Sequence, residues 1–158
     1  MAQHRVRVAK GAGQIRLLIG ELFKQPNLPE LVYGVSNMDM LERNFPEYEF
    51  SSGNSARIDA QVPSKFIYTS SFGSAYSGSD GLLMRESKYL PLGVLEKCPD
   101  VTIIGNTVVL LSERGGLNAE MTTGLEVAEK YRGLFDYLWE HPKGKPRLTK
   151  QPQTSETG

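Results

Sequence analysis

The order of segments along the chain predicts an α/β fold: a single domain with a mixed sheet, a C-terminal β-hairpin or meander and a long C-terminal helix. Three observations carry that prediction. Apolar residues at helical spacing open and close the chain, β-branched runs lie between them, and Gly105-Asn106 joins two of those runs as a tight turn. A chain of 158 residues is of single-domain size and can bury roughly two thirds of its extended surface. No period of about 20 to 50 residues repeats, which excludes solenoids and propellers.

Ile15, Leu18, Ile19, Leu22 and Phe23 fall on one helical face, so residues 12–25 form an amphipathic helix that Pro26 and Pro29 stop. Glu30 to Ser36 reads as a short buried strand, and Asn37 caps a helix running from Met38 to Phe45 before Pro46. Residues 51–62 are a short helix or loop. Lys65 to Thr69 is a second strand, followed by a mobile loop rich in Ser and Gly from Ser70 to Gly81. Val101–Ile104 and Thr107–Ser112 flank the Gly-Asn pair as a hairpin, and Leu117 to Thr122 adds a third strand. Thr123 and Glu126 have the spacing of a capping box, which starts a helix whose stripe is Leu125, Ala128, Tyr131, Leu134, Phe135, Leu138 and Trp139. The expected organisation is an N-terminal extension over 1–10, an α/β domain over 11–141 and a disordered basic tail over 142–158.

Composition narrows the function. Apolar residues at 39% and charged residues at 23% place the chain among globular proteins. The net charge is zero, and it divides unevenly: Lys143, Lys145, Arg147 and Lys150 face Glu156 in the tail, leaving 14 basic and 17 acidic groups in residues 1–140. A mildly acidic body is not steered onto nucleic acid, so direct binding of nucleic acid by the body is not expected. No segment reads as a signal peptide or membrane span, and the single Cys98 excludes an internal disulfide. A soluble cytoplasmic protein without membrane contact is expected. With His4 and His141 as the only histidines, a metal site and a serine triad both lack ligands or base, so no metal, cofactor or catalytic residue is assigned.

Other segments carry partial chemical signatures. Gly11-Ala-Gly13 before a helix begins like a phosphate-binding turn, yet lacks the third glycine and the acidic residue of a dinucleotide site. The serines of residues 73–78 lack the flanking glycines of a nucleophile elbow. Cys98, beside Pro99 and Asp100, has no base nearby in sequence and reads as a spectator thiol. The segment Arg85-Glu-Ser-Lys-Tyr-Leu-Pro91 is the most suggestive, because Arg, Lys and Tyr there converge on an anion or polar ligand if they share a face.

The succession of the segments 13–23, 31–36, 66–70, 85–91, 100–112 and 126–139 resembles the C-terminal effector domain of TrmB-type sugar-responsive transcription regulators. The resemblance spans about residues 11 to 140. It implies a phospholipase D-like backbone and an effector role. The winged helix-turn-helix that usually precedes this domain has no counterpart before the first helix. The phospholipase D motif His-x-Lys-x-x-x-x-Asp is approached only by His141-Pro-Lys143, where position 148 is Leu.

The reading that follows is a non-catalytic effector domain that senses a ligand or partner, related to transcription regulators and without its own DNA-binding module. Its expected contacts are Arg57, Tyr68, Arg85, Lys88 and Tyr89, gathered on one rim of the sheet with the mobile loop. A sugar-like or anionic small molecule and a second copy of the chain are the partners that go with this reading. The alternatives are a small α/β enzyme acting on a sugar or phosphorylated substrate, and a protein–protein interaction adaptor.

Overall fold

The computed structural model describes residues 5–45, 54–91, 93 and 100–141. The strands are β1 (Arg5–Lys10), β2 (Val32–Asn37), β3 (Ser64–Thr69), β4 (Arg85–Tyr89), β5 (Asp100–Ile104), β6 (Thr107–Ser112) and β7 (Asn118–Thr123). They form one sheet in the order β1-β7-β6-β5-β2-β3-β4. Strands β2, β3 and β4 are parallel, and the remaining pairs are antiparallel. The helices are α1 (Gly11–Leu22), α2 (Met38–Asn44), α3 over residues 54–59 and α4 (Leu125–Glu140). A 3₁₀ helix covers Gly73–Ser79.

The sheet is covered on both faces, which follows from side-chain alternation along each strand. On one face Ala9, Tyr68, Val109 and Met121 pack with Ile15 of α1 and with Met38 and Leu41 of α2. On the other, Val35 and Ile67 meet Phe135 and Trp139 of α4, while Ile103 and Val108 meet Ala128. Val108 and Val109 are adjacent in sequence and are buried in opposite layers. An α/β domain with a mixed sheet and a closing helix is therefore the fold, as its apolar patterning predicts. Among the described residues, no helix is long and apolar enough to cross a membrane.

Local chemistry sets several boundaries. The Asn37 Oδ1 accepts hydrogen bonds from the Asp39 and Met40 amides at 3.0 and 3.3 Å, giving α2 its expected cap. Asn37→Ala is expected to cost about 1 kcal/mol of stability, read from the urea midpoint at constant slope. Gly105 at φ 60° occupies the first turn position between β5 and β6, the conformation that a two-residue hairpin of type II′ needs.

The structure corrects three sequence expectations. Residues 5–10, expected within an N-terminal extension, form edge strand β1, with Val8 paired to Glu120 and Ala9 to Ala119. Their alternation of basic and small apolar residues is a strand pattern, too short to separate from a polar leader by composition. Strand β1 runs directly into α1 because Gly11 takes φ +80° and donates its amide to the Leu117 carbonyl at 2.9 Å. Thr123 does not cap α4. It ends β7, its hydroxyl lies 3.0 Å from that of Thr107, and Gly124 occupies the cap position with no side-chain hydrogen bond. The third correction concerns residues 70–81, expected as a mobile loop. The 3₁₀ helix there is pinned by Ser77, whose Oγ lies 2.8 Å from both the Tyr68 hydroxyl and the Ser87 Oγ. The Asp80 carboxylate ties its end to β4 through the Ser87 amide at 2.9 Å and the Ser87 Oγ at 2.7 Å. The tail over 142–158 lies outside the described residues.

Candidate functional site

Where α1 crosses the sheet it leaves a cavity of about 160 Å³. Helix α1 contributes Ile15 and Ile19, Phe23 follows at its C-terminal cap, strand β2 contributes Val32 and Gly34, and Phe66, Ile104 and Leu111 complete the apolar wall. Gly34 has a local reason. A Cβ there would stand 3.0 Å from Phe66 Cδ2, so the bare backbone lets the Phe66 ring lie across β2. Polar lining comes from Arg16, Ser36, Asn54, Arg57, Ser64, Lys65, Arg85 and Thr102. In the parallel register Val32 pairs with Ser64, and Ser64 with Arg85, so β3 and β4 meet the cavity at their amino ends while β2 lines it from Val32 through Gly34 to Ser36. Open α/β sheets more often bind ligands at the carboxyl ends.

Of the three arginines in its wall, Arg16 is half-buried and the guanidinium groups of Arg57 and Arg85 are buried. Arg57 is 4% exposed. Its Nη1 donates to the Val62 carbonyl at 2.8 Å and the Met84 carbonyl at 3.2 Å, and its Nη2 donates to the Leu83 carbonyl and to Asn54 Oδ1. Burial, and then the charge of Arg85, hold Arg57 below the ordinary arginine range. The Arg85 side chain, also 4% exposed, places Nε 2.8 Å from Asp80 Oδ1 and donates from Nη2 to the Tyr76 carbonyl at 2.8 Å. Its guanidinium carbon lies 5.1 Å from the centre of the Phe66 ring.

The five expected contact residues do not share one rim. Arg57 and Arg85 line the cavity. Tyr68 is fully buried beside it in the sheet and is engaged with Ser77. Tyr89, half-buried, lies against Tyr68 with ring centres 5.7 Å apart. Lys88 lies on the opposite face: its Nζ donates to the Trp139 carbonyl at 2.9 Å and sits 4.2 Å from the Trp139 ring centre, at the C-terminal end of α4. Alternation along β4 is the reason, since residues 85, 87 and 89 point one way and residue 88 the other. The apolar wall and Gly34 were missed as site residues. A glycine inside a buried strand is the sequence signal that marks close approach.

A buried carboxylate at the far end of β2 also escaped sequence reasoning. Asp100 is 5% exposed, and its Oδ1 accepts the Asn37 amide at 2.6 Å. Burial pushes its pKa up to about 7 against that hydrogen bond, with help from the charge of Glu113. Glu113 itself is held below the usual carboxylate range chiefly by Arg43, at 3.2 Å, and by Asn44. A surface depression nearby is lined by Asp39, Glu42, Arg43, Ser71 and Phe72. Its polar groups are already engaged, Asp39 with Ser71, Glu42 with Tyr76 and Arg43 with Glu113. His141 is exposed and stacks on Tyr137 at 4.5 Å. Cys98 lies outside the described residues, among which no group of three His, Cys, Asp or Glu side chains could hold a metal ion.

No protein-family model matches the chain, and no curated protein matches it by sequence. Solved structures do match. TrmBL2, an archaeal chromatin protein with a novel mode of DNA binding, superposes with a TM-score of 0.60 at 14% identity, over 89% of this chain and 53% of its own. NucT from Helicobacter pylori superposes with a TM-score of 0.56 at 16% identity, over 87% of this chain and 97% of its own. The chain thus spans about half the length of TrmBL2. At these identities the likeness is one of fold, and it supports a TrmB-related fold for this chain.

Proposed function

We propose that this chain is a ligand-sensing effector domain that acts by binding and does no chemistry of its own. The observation that carries the reading is the cavity between α1 and the sheet: apolar over most of its wall, with two buried guanidinium groups set into it. Pockets of this kind, apolar with a few oriented polar groups, are the usual form of small-molecule sites. The likeness to TrmBL2 supports a regulatory context.

The test is a thermal-shift screen of the full chain against sugars, sugar phosphates, nucleotides and small carboxylic acids. A ligand that binds only the folded state stabilises it by about 2.7 kcal/mol at a hundredfold excess over its dissociation constant. One chemical class is expected to raise the midpoint in a dose-dependent way. Ile19→Phe, which fills the cavity from α1, is expected to abolish that rise while leaving the unliganded midpoint close to wild type. Absence of any shift across the panel counts against a small-molecule sensor.

A second reading has its own observation. Strand β1 is an edge strand that carries Arg5, Arg7 and Lys10, and the comparison protein TrmBL2 binds DNA. Phosphate contacts of this kind weaken steeply with salt. A mobility-shift titration of duplex DNA at two salt concentrations, with Arg5→Ala/Arg7→Ala as control, decides it. Salt-sensitive binding lost in the control would make the body a DNA-contacting surface.

A further inference from the structure

The chemistry of the cavity wall narrows the class of ligand, and this step rests on the ligand-sensing reading above. Arg57 and Arg85 bring two positive charges to one end of the cavity. Among the described residues, the carboxylate paired with them is that of Asp80, at 2.8 Å from Arg85 Nε. The remaining partners of Arg57 are the carbonyls of Val62, Leu83 and Met84 and the amide oxygen of Asn54. Carbonyl oxygens orient a guanidinium and satisfy its donors without cancelling its charge. The Arg57 charge is therefore left uncancelled beside a cavity that Ile15, Ile19, Phe23, Val32 and Ile104 line together with Arg16 and Lys65, the Lys65 Nζ itself lying 5.1 Å from the Trp139 ring centre on the other face of the sheet. A buried, incompletely compensated charge is unfavourable in an apolar setting, and an anion seated against it removes that penalty.

Size and polarity limit the rest of the ligand. A volume of about 160 Å³ is close to that of an apolar cavity that admits a benzene ring, roughly 150 Å³. A polyhydroxylated body would leave most of its hydroxyls against hydrocarbon. A ring or a short branched chain would not. Phe66, with the Arg85 guanidinium carbon 5.1 Å from its ring centre, offers a flat apolar surface beside the charge. We infer that the cavity takes a small amphiphilic carboxylate, an aromatic or branched aliphatic acid, with its apolar body under α1 and its carboxylate toward Arg57 and Arg85.

The test is calorimetric titration of the full chain with benzoate and 4-methylpentanoate, each compared with its neutral amide, and with glucose and glucose 6-phosphate as polar probes. The expected result is binding of one or both acids at least tenfold tighter than the matching amide, with no binding of the polar probes. Arg85→Gln is expected to level the acid against the amide, and Ile19→Phe to weaken both. Asp80→Asn, which removes the compensating carboxylate, is expected to widen the acid preference, and it keeps the inference testable if Arg85→Gln does not fold. Equal binding of acid and amide overturns the anionic headgroup, and binding of glucose 6-phosphate without the acids overturns the apolar body. In both of those cases the sensing reading survives. No binding of any probe here or in the wider thermal-shift panel overturns the sensing reading and this inference together.

Discussion

Arg57→Ala is expected to destabilise the fold by about 2 to 4 kcal/mol, because each buried carbonyl left without its donor costs about 1 to 3 kcal/mol while loss of the buried charge offsets part of that cost. The side chain is 4% exposed and it ties α3 to the turn before β4 by reaching the carbonyls of Val62, Leu83 and Met84. Truncation leaves those acceptors without their donor and opens a void beside the cavity. A domain of this size is stabilised by only about 5 to 15 kcal/mol in total, so the variant should approach the limit of folding at 37 °C. Arg57→Lys should recover only part of the loss, because one ammonium cannot span the carbonyls that a guanidinium fork reaches. Urea denaturation of the three proteins checks this, and a loss under about 1 kcal/mol for alanine would show that the strap contributes little.

The second large effect is one of pH. Asp100 titrates near 7 in the folded chain against 3.8 ordinarily, because burial disfavours its charge. Its folded pKa is raised, so the native state holds a proton that the unfolded state has released throughout the window from about 4 to 7. Stability therefore falls as pH rises through that window, and the burial penalty is fully present above it. Asp100→Asn keeps an oxygen to accept the Asn37 amide, at 2.6 Å in the wild type, and removes the charge. It should stabilise the protein by about 2 to 4 kcal/mol at pH 8 and by little at pH 4. Glu113 works in the opposite sense: its folded pKa is lowered chiefly by Arg43, so its contribution is lost only as pH falls below the ordinary carboxylate range. The two windows meet only between the ordinary values of 3.8 for Asp100 and 4.5 for Glu113. Denaturation midpoints of both proteins at pH 4, 6 and 8 separate them, and a pH-independent difference would remove Asp100 as the cause.

Much of the architecture was legible in the amino-acid sequence because it rests on local rules. The apolar stripe of α1, the Asn37 cap, the Gly105-Asn106 turn and the closing helix each depend on residues within one or two turns of one another, where periodicity and capping chemistry decide the outcome. The same patterns supported a single α/β domain with a mixed sheet. Where local rules were ambiguous the structure differed. Residues 5–10 became a strand because β7 offers them a partner, and Thr123 was drawn into the ladder opposite Thr107 in place of the cap that its spacing predicted.

The candidate site divides in the same way. Arg57 and Arg85 were identifiable as residue types able to hold an anion, and both line the cavity. Lys88 was grouped with them from its position in the chain, yet strand alternation sends it to the face that α4 covers. What no local pattern carries is the distance between segments far apart in sequence: Ile19 of α1, Gly34 of β2, Arg57 of α3 and Arg85 of β4 share a wall only because the sheet order and register bring them together. The elevated pKa of Asp100 is likewise a property of its surroundings, since desolvation depends on what is packed around a group and not on its neighbours in the chain. The sequence by itself determined helices α1, α2 and α4 and strands β2, β3, β5, β6 and β7, whereas β1, β4 and the 3₁₀ helix took shape only against their partners. Tertiary structure alone decided which side chains meet, because strand pairing and burial are long-range interactions that local propensity does not encode.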